Sequence, residues 1–125
     1  MRVFPLSLLL AAAAALQGCS PSGPVDGAAA FQKCASCHAV GPNAHGGFGP
    51  QLNGLFGRRA GTTPDYAYSD AMKRSNIVWD DATLAAFLRD PHNVVPGTRM
   101  RFWGIGNERE IAALLDHLRT FQDVR

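Results

Sequence analysis

Apolar residues recur with helical spacing in three stretches of this 125-residue chain, and the last stretch is the clearest. Its apolar positions repeat every three or four residues and predict one buried stripe along a helix: Ile111, Leu114, Leu115 and Leu118. Asn107 precedes the stripe as a candidate N-cap, and Glu110 follows three residues later. That spacing is typical of a capping box, in which the side chain of Glu110 reaches back to the start of the helix.

Two other main helices are predicted upstream. The stretch "WDDATLAAFLRDP" offers Asp80 or Asp81 as its cap and must end before Pro91. Its apolar positions at helical spacing are Leu84, Phe87 and Leu88. The stretch "GAAAFQKCA", from Gly27 to Ala35, has high helix propensity and should pack on another helix.

The connections between these helices are rich in Gly and Pro and contain no alternating run long enough for a sheet. Ser69 can cap one short helix around Met72. We therefore predict an all-α fold with three main helices, a short helix and irregular loops.

Composition and charge change this picture in two respects. The 13 Gly and 8 Pro residues leave a thin core for a domain of this size, so a prosthetic group bound in the middle would add stability. The 12 Lys and Arg residues against 10 Asp and Glu residues give a net charge of +2. They form no block of like sign, so nucleic acid is not expected as a partner.

Residues 1–18 are predicted to be an export signal, with one Arg, an apolar run and small residues near its end. The run from Leu6 to Leu16 is shorter than the ~20 apolar residues that span a bilayer. A cleavable segment is therefore favoured over a transmembrane anchor.

The tetrapeptide "LQGC", from Leu16 to Cys19, resembles the lipobox of bacterial lipoproteins, in which the cysteine becomes the acylated first residue. Acylation of Cys19 would account for the odd number of cysteines, and simple cleavage near Ala15 or Gly18 is the alternative. Residues 19–26 are predicted to be a flexible tether. Residues 27–125 would form the single domain.

The stretch "CASCH" places Cys34, Cys37 and His38 within five positions and has three interpretations. A thioredoxin-like pair needs a strand before it, and none is predicted. Tetrahedral zinc needs four ligands, and the remaining histidines have no paired spacing. Covalent attachment of a c-type haem uses all three residues, since positions i, i+3 and i+4 lie on one helical face. This third interpretation is favoured.

An iron bound by His38 could keep its other face open or take a second ligand. The candidates for that position are Met72, Met100, His45, His92 and His117. Met72 is expected to be a core residue, His92 a loop residue, and His117 a surface or interhelical contact. Met100 is expected on a loop, because Pro96 and Gly97 interrupt regular structure before it.

The sequence resembles class I cytochromes c of the mitochondrial and α-proteobacterial type from Gly27 to Phe121. The motifs that carry this resemblance are "CASCH", "GPQLNGLFGRRAG" (Gly49 to Gly61), "YAYS" (Tyr66 to Ser69), Trp79 and "PGTRM" (Pro96 to Met100). The resemblance implies a cytochrome c fold wrapped around one haem, which is bound covalently through Cys34 and Cys37.

The resemblance also implies roles for single residues. His38 and Met100 would be the two iron ligands, and the carbonyl of Pro50 would accept the second ring N–H of His38. The residues implied near the haem propionates are Arg58, Tyr68, Trp79 and Thr98. Phe102 would shield the methionine side.

The implied function is single-electron transfer between redox partner proteins, with no substrate of its own. We expect a monomer on the periplasmic side of a bacterial membrane, held there by its lipid anchor, with a soluble periplasmic form as the alternative. Two other functions stay open: a haem sensor or weak peroxidase with a labile methionine, and an electron-entry subunit of a membrane oxidase or dehydrogenase.

Overall fold

The computed structural model describes residues 23–124. The predictions for the export signal and for Cys19 lie outside the described residues. Within residues 23–124 the chain forms five helices: α1 (Gly27–Phe31), α2 (Asp70–Arg74), α3 (Asp81–Arg89), α4 (Pro91–Val94) and α5 (Glu108–Arg119). The only extended pairing in this range is an isolated antiparallel bridge between Arg59 and Val78. The predicted all-α class is confirmed.

Side-chain caps set the starts of α3 and α5. Asp80 accepts a hydrogen bond from the backbone N–H of Thr83, and the Thr83 side chain bonds the backbone N–H of Asp80, so α3 has a complete capping box. Asn107 caps α5 as predicted. The predicted return contact of Glu110 is wrong, because its carboxylate pairs with Lys33 instead.

Two helix boundaries differ from the sequence-based expectation. α1 ends at Phe31 and not at Ala35, because the chain tightens into successive turns in which Cys34 N–H bonds the carbonyl of Phe31 at 2.8 Å. His92 lies in the helix α4 and not in a loop. Pro91 occupies the first turn of α4, where its missing N–H costs nothing.

The core is formed where α5 packs against α1 and α3. Leu114 of α5 is completely buried, and Ile111 is 2% exposed. The ring of His117 packs between Phe31 and Phe121, with its centroid 5.4 Å from that of Phe31 and 5.3 Å from that of Phe121. The guanidinium of Arg119 lies 4.4 Å above the ring of Phe56, which closes one end of the core.

In residues 23–124, no helix is long and apolar enough to cross a membrane.

Replacement of Ile111 by Ala should destabilise the protein strongly, because it leaves a void in the interface between α5 and its neighbours. We expect the free energy of unfolding of the purified protein to fall by about 3 kcal/mol in a guanidinium titration. Asp116→Ala, on the exposed face of the same helix, should change it by less than about 0.5 kcal/mol. Equal losses in the two variants would contradict this packing.

Candidate functional site

A cavity of about 420 Å³ lies between the turn after α1, the loops before α2 and after α4, and the buried faces of α3 and α5. Its size falls within the range of small-molecule and cofactor sites. All ten candidate cofactor residues line it: Cys34, Cys37, His38, Pro50, Arg58, Tyr68, Trp79, Thr98, Met100 and Phe102. The structure thus brings together residues that lie up to 68 positions apart (34 to 102).

The "CASCH" stretch forms one wall of the cavity. The backbone N–H groups of Cys37 and His38 both bond the carbonyl of Cys34, at 3.0 and 2.9 Å, so one tight turn sets the three side chains. Cys34 is buried and Cys37 is exposed. Burial also raises the pKa of the Cys34 thiol. One sulfur therefore lies inside the cavity wall, and the other lies where the cavity reaches the surface.

His38 is oriented by its second ring nitrogen. Nδ1 lies 2.8 Å from the carbonyl oxygen of Pro50. A carbonyl oxygen only accepts, so Nδ1 carries the proton and Nε2 keeps its lone pair for another partner. Burial lowers the pKa of His38 despite the hydrogen bond to Pro50, which acts in the opposite direction. The ring is therefore held neutral, in the form that binds metals.

Gly49 lies directly against the ring of His38. A Cβ atom on Gly49 would be 2.6 Å from Cε1 and 2.8 Å from Nδ1 of that ring. The absence of a side chain thus lets the backbone run beside the imidazole and brings the next carbonyl, that of Pro50, into reach. Sequence reasoning did not assign Gly49 this role, although the glycine preceding Pro50 was the available signal.

Met100 is carried by a loop with a defined turn. Gly97 has a φ of +92°, and the N–H of Thr98 bonds the carbonyl of Val95 at 2.9 Å. The hydroxyl of Thr98 accepts the N–H of Met100 at 3.2 Å. These bonds hold the thioether at the cavity, where Phe102 also packs.

Of the five candidates for a second iron ligand, only the two methionines line the cavity. Met72 does so from α2 and is buried, whereas Met100 is partly exposed. His45 is exposed and bonds the carbonyl of Asn43, and His92 and His117 lie on helices away from the lining. In residues 23–124, no three His, Cys, Asp or Glu side chains converge on one point.

Another part of the lining carries polar groups and a positive charge. Arg58 is half-buried and donates to the carbonyls of Gln51 and Asn53, both at 3.0 Å, and burial lowers its pKa. The hydroxyl groups of Tyr68 and Thr63 are 2.7 Å apart. Trp79 is 6% exposed and packs 5.1 Å from the ring of Phe87.

The lining as a whole fits a haem. None of the described lining residues is Asp or Glu. Four of them are cations, whose charge would suit the two negative charges of the haem propionates, namely Lys33, Arg58, Arg99 and Arg101. Most of the other lining side chains are apolar and belong to the core, as a porphyrin requires. The lining also contains two thiols, one neutral imidazole and the thioethers of Met72 and Met100.

Comparisons with known proteins find similar sequences and a similar fold over most of the described chain. The family model for cytochrome c matches residues 24–122. A cytochrome c-550 of Bradyrhizobium diazoefficiens is 50% identical over 95 residues, which are 76% of this chain and 70% of that protein. A cytochrome c2 of Blastochloris viridis is 40% identical over 119 residues, 95% of this chain and 89% of its own. The solved structure of cytochrome cH from Methylobacterium extorquens aligns with a TM-score of 0.71 and 40% identity, covering 75% of this chain and 94% of that one.

Replacement of Gly49 by Ala should disturb the imidazole that it contacts. Because the ring or the backbone must move, we expect the free energy of unfolding to fall by about 1–3 kcal/mol and the visible spectrum of the purified protein to shift. Gly47→Ala is the matched control, since a Cβ there has no atom within 4 Å. Identical unfolding curves and spectra for the two variants would contradict the close approach at Gly49.

Proposed function

Because the chain belongs to the cytochrome c family, we propose that it is a single-electron carrier in which His38 and Met100 are the axial ligands of the haem. The haem is held covalently through Cys34 and Cys37. The observation that carries the ligand assignment is the shared cavity: an oriented, neutral imidazole and a loop-borne thioether line the same space. As a carrier, the protein would act on redox partner proteins and have no substrate of its own.

The bound haem supplies an iron that exchanges one electron between its ferrous and ferric states. The chain contributes a fixed environment for that exchange. The Pro50 carbonyl holds the tautomer and the direction of His38, and the turn at Thr98 holds Met100. Arg58 is already fixed by two backbone carbonyls, so its charge is oriented towards the cavity before any ligand arrives. A site arranged in advance needs little rearrangement when its charge changes.

Electrons would enter and leave at the attachment turn. Cys37 is exposed, whereas Cys34 and the faces of α3 and α5 behind it are buried. A partner that docks over Cys37 would therefore come closest to the interior of the site. Deeper in the cavity the lining consists of buried core side chains such as Leu84 and Leu114.

The proposed location is the periplasmic side of a bacterial membrane, where an acylated Cys19 would hold a monomeric domain through residues 19–26. The support for this location is the "LQGC" sequence and the Pro- and Ser-rich stretch that follows it. The partners would then be membrane complexes of a respiratory or photosynthetic chain.

The ligand assignment is tested by removing each methionine in turn. Met100→Ala should abolish the long-wavelength thioether-to-iron band of the ferric protein and let the ferrous protein bind carbon monoxide at once. Met72→Leu, the control that keeps the volume of the core, should retain the band. Loss of the band in Met72→Leu alone would assign the ligand to α2. Purified protein without haem absorbance, or with free thiols at Cys34 and Cys37, would overturn the proposed function.

The anchor is tested separately. The wild-type protein should fractionate with membranes and show an intact mass that includes an acylated glyceryl group on Cys19. Cys19→Ser should move the protein to the soluble periplasmic fraction without changing its visible spectrum. Ser22→Ala, in the tether, should remain with the membranes. A soluble wild-type protein of unmodified mass would show that export ends in simple cleavage.

A further inference from the structure

Two aromatic side chains, one in the cavity lining and one directly after a lining residue, are almost fully exposed to solvent. Trp103 is 100% exposed and Phe48 is 89% exposed, the highest values among the large apolar residues that the structure describes. Phe48 itself lines the cavity, and Trp103 directly follows Phe102, which also lines it. The third exposed apolar residue, Val78, is 51% exposed and directly precedes the lining residue Trp79. The two most exposed apolar residues are thus aromatic, and one of them, Phe48, lines the cavity.

The backbone on each side of Phe48 is fixed. The N–H of Gly47 bonds the carbonyl of Gly49 at 2.9 Å, and the hydroxyl of Tyr66 donates to the carbonyl of Phe48 at 3.3 Å. Gly49 is in turn held against the ring of His38. The phenyl group therefore projects from a short, tied loop and would lose little backbone entropy on binding.

The backbone after Trp103 is fixed in a similar way. Gly104 has a φ of +100°, and a Cβ there would lie 2.1 Å from the carbonyl oxygen of Arg89 at the end of α3. The next residue, Ile105, is 3% exposed, and its N–H bonds the carbonyl of Leu88 at 2.9 Å. The chain is thus pinned to α3 immediately after Trp103, and the indole is left in solvent.

The charged side chains that line the cavity with Phe48 are all cations, and one carboxylate, that of Asp65, lies nearby and accepts the N–H of Gly46 at 2.6 Å. Lys33, Arg99 and Arg101 line the cavity with Phe48. Lys33 pairs with Glu110, and Arg99 donates to the carbonyl of Ala67 at 2.6 Å. Arg101 is exposed and makes no hydrogen bond or ion pair within residues 23–124. The mouth therefore has an aromatic centre and a moderately positive edge.

We propose that Phe48 and Trp103 are the anchors on which a redox partner protein docks, and that the partner presents an apolar depression edged by carboxylates. The proposal rests on the proposed electron-carrier function. Interface energy is concentrated in a few rigid aromatic residues, with Trp foremost, surrounded by contacts of little energetic weight. Two preorganised aromatics beside an unpaired arginine have this composition, and the cations would orient a partner of opposite charge.

Two other occupants fit this surface less well. A second copy of the chain would bring Lys33, Arg99 and Arg101 of both molecules against each other in a symmetric contact. A lipid surface is bound through clusters of basic residues or an amphipathic helix, and the mouth offers three cations on two segments, of which Lys33 is already paired with Glu110. Either occupant would also cover the only exposed cysteine of the site, Cys37, instead of connecting it to an acceptor.

The test compares Phe48→Ala, Trp103→Ala and Trp103→Phe, with Val78→Ala as the control for loss of exposed apolar surface. The probe is the set of redox complexes in detergent-solubilised membranes of the source bacterium, and the measurement is the rate of oxidation of ferrous protein against its concentration. Each alanine variant should raise KM about tenfold at constant kcat. Trp103→Phe should restore most of the affinity, and Val78→Ala should stay within about twofold of wild type.

Ferricyanide serves as a second oxidant that needs no docking surface. Trp103→Ala, Trp103→Phe and Val78→Ala change no residue of the cavity lining and should react with it as wild type does, which separates a docking defect from a damaged site. Unchanged KM values with normal ferricyanide rates would overturn the docking proposal alone. A wild-type protein without haem absorbance would overturn the proposed function and this proposal with it.

Two further measurements distinguish the other occupants. Flotation with protein-free phosphatidylcholine and phosphatidylglycerol vesicles that is weakened in Trp103→Ala would show a lipid-binding surface and overturn the proposal. Sedimentation equilibrium showing a wild-type dimer that Trp103→Ala dissociates would show self-association and overturn it as well.

Discussion

The hydrogen bond from the Nδ1 of His38 to the carbonyl of Pro50 is the constraint on which the site depends. It fixes which ring nitrogen keeps a lone pair and the direction in which that lone pair points. The bond exists because Gly49 lets the backbone run against the imidazole. The five-residue turn from Cys34 to His38 on one side and the segment Gly49–Pro50 on the other thus define the direction of one imidazole, and burial keeps that imidazole neutral.

The residues that hold the fold together are also the residues that enclose the cofactor. Leu84, Leu88, Leu114 and Leu118 are buried in the core and line the cavity at the same time. The buried apolar residues of the described chain form one cluster, so the site has no separate core behind it. Binding of the haem and consolidation of α3 against α5 are therefore expected to be coupled, since a group that fills this space stabilises only the folded state.

Sequence reasoning identified the elements and the chemistry better than the boundaries. The cap of α5 and the stripe beneath it follow from local pattern, as does the attachment motif with its ligand spacing. The side chain of Glu110 was assigned wrongly because its real partner, Lys33, lies 77 residues away and no local pattern encodes that contact. For the same reason, the closeness of Gly49 to His38 and the exposure of Phe48 and Trp103 became visible only in three dimensions.

The start of the described chain is held against α5 by a hydrogen bond. The guanidinium of Arg109, at the start of α5, donates to the carbonyl of Gly23 at 2.8 Å. Gly23 lies only four positions after Cys19, a reach of about 14 Å when fully extended. An acyl chain at Cys19 would hold the domain close to the bilayer surface. The domain could then rotate and diffuse laterally along the membrane but could not leave it. Traffic between complexes would then be a two-dimensional search.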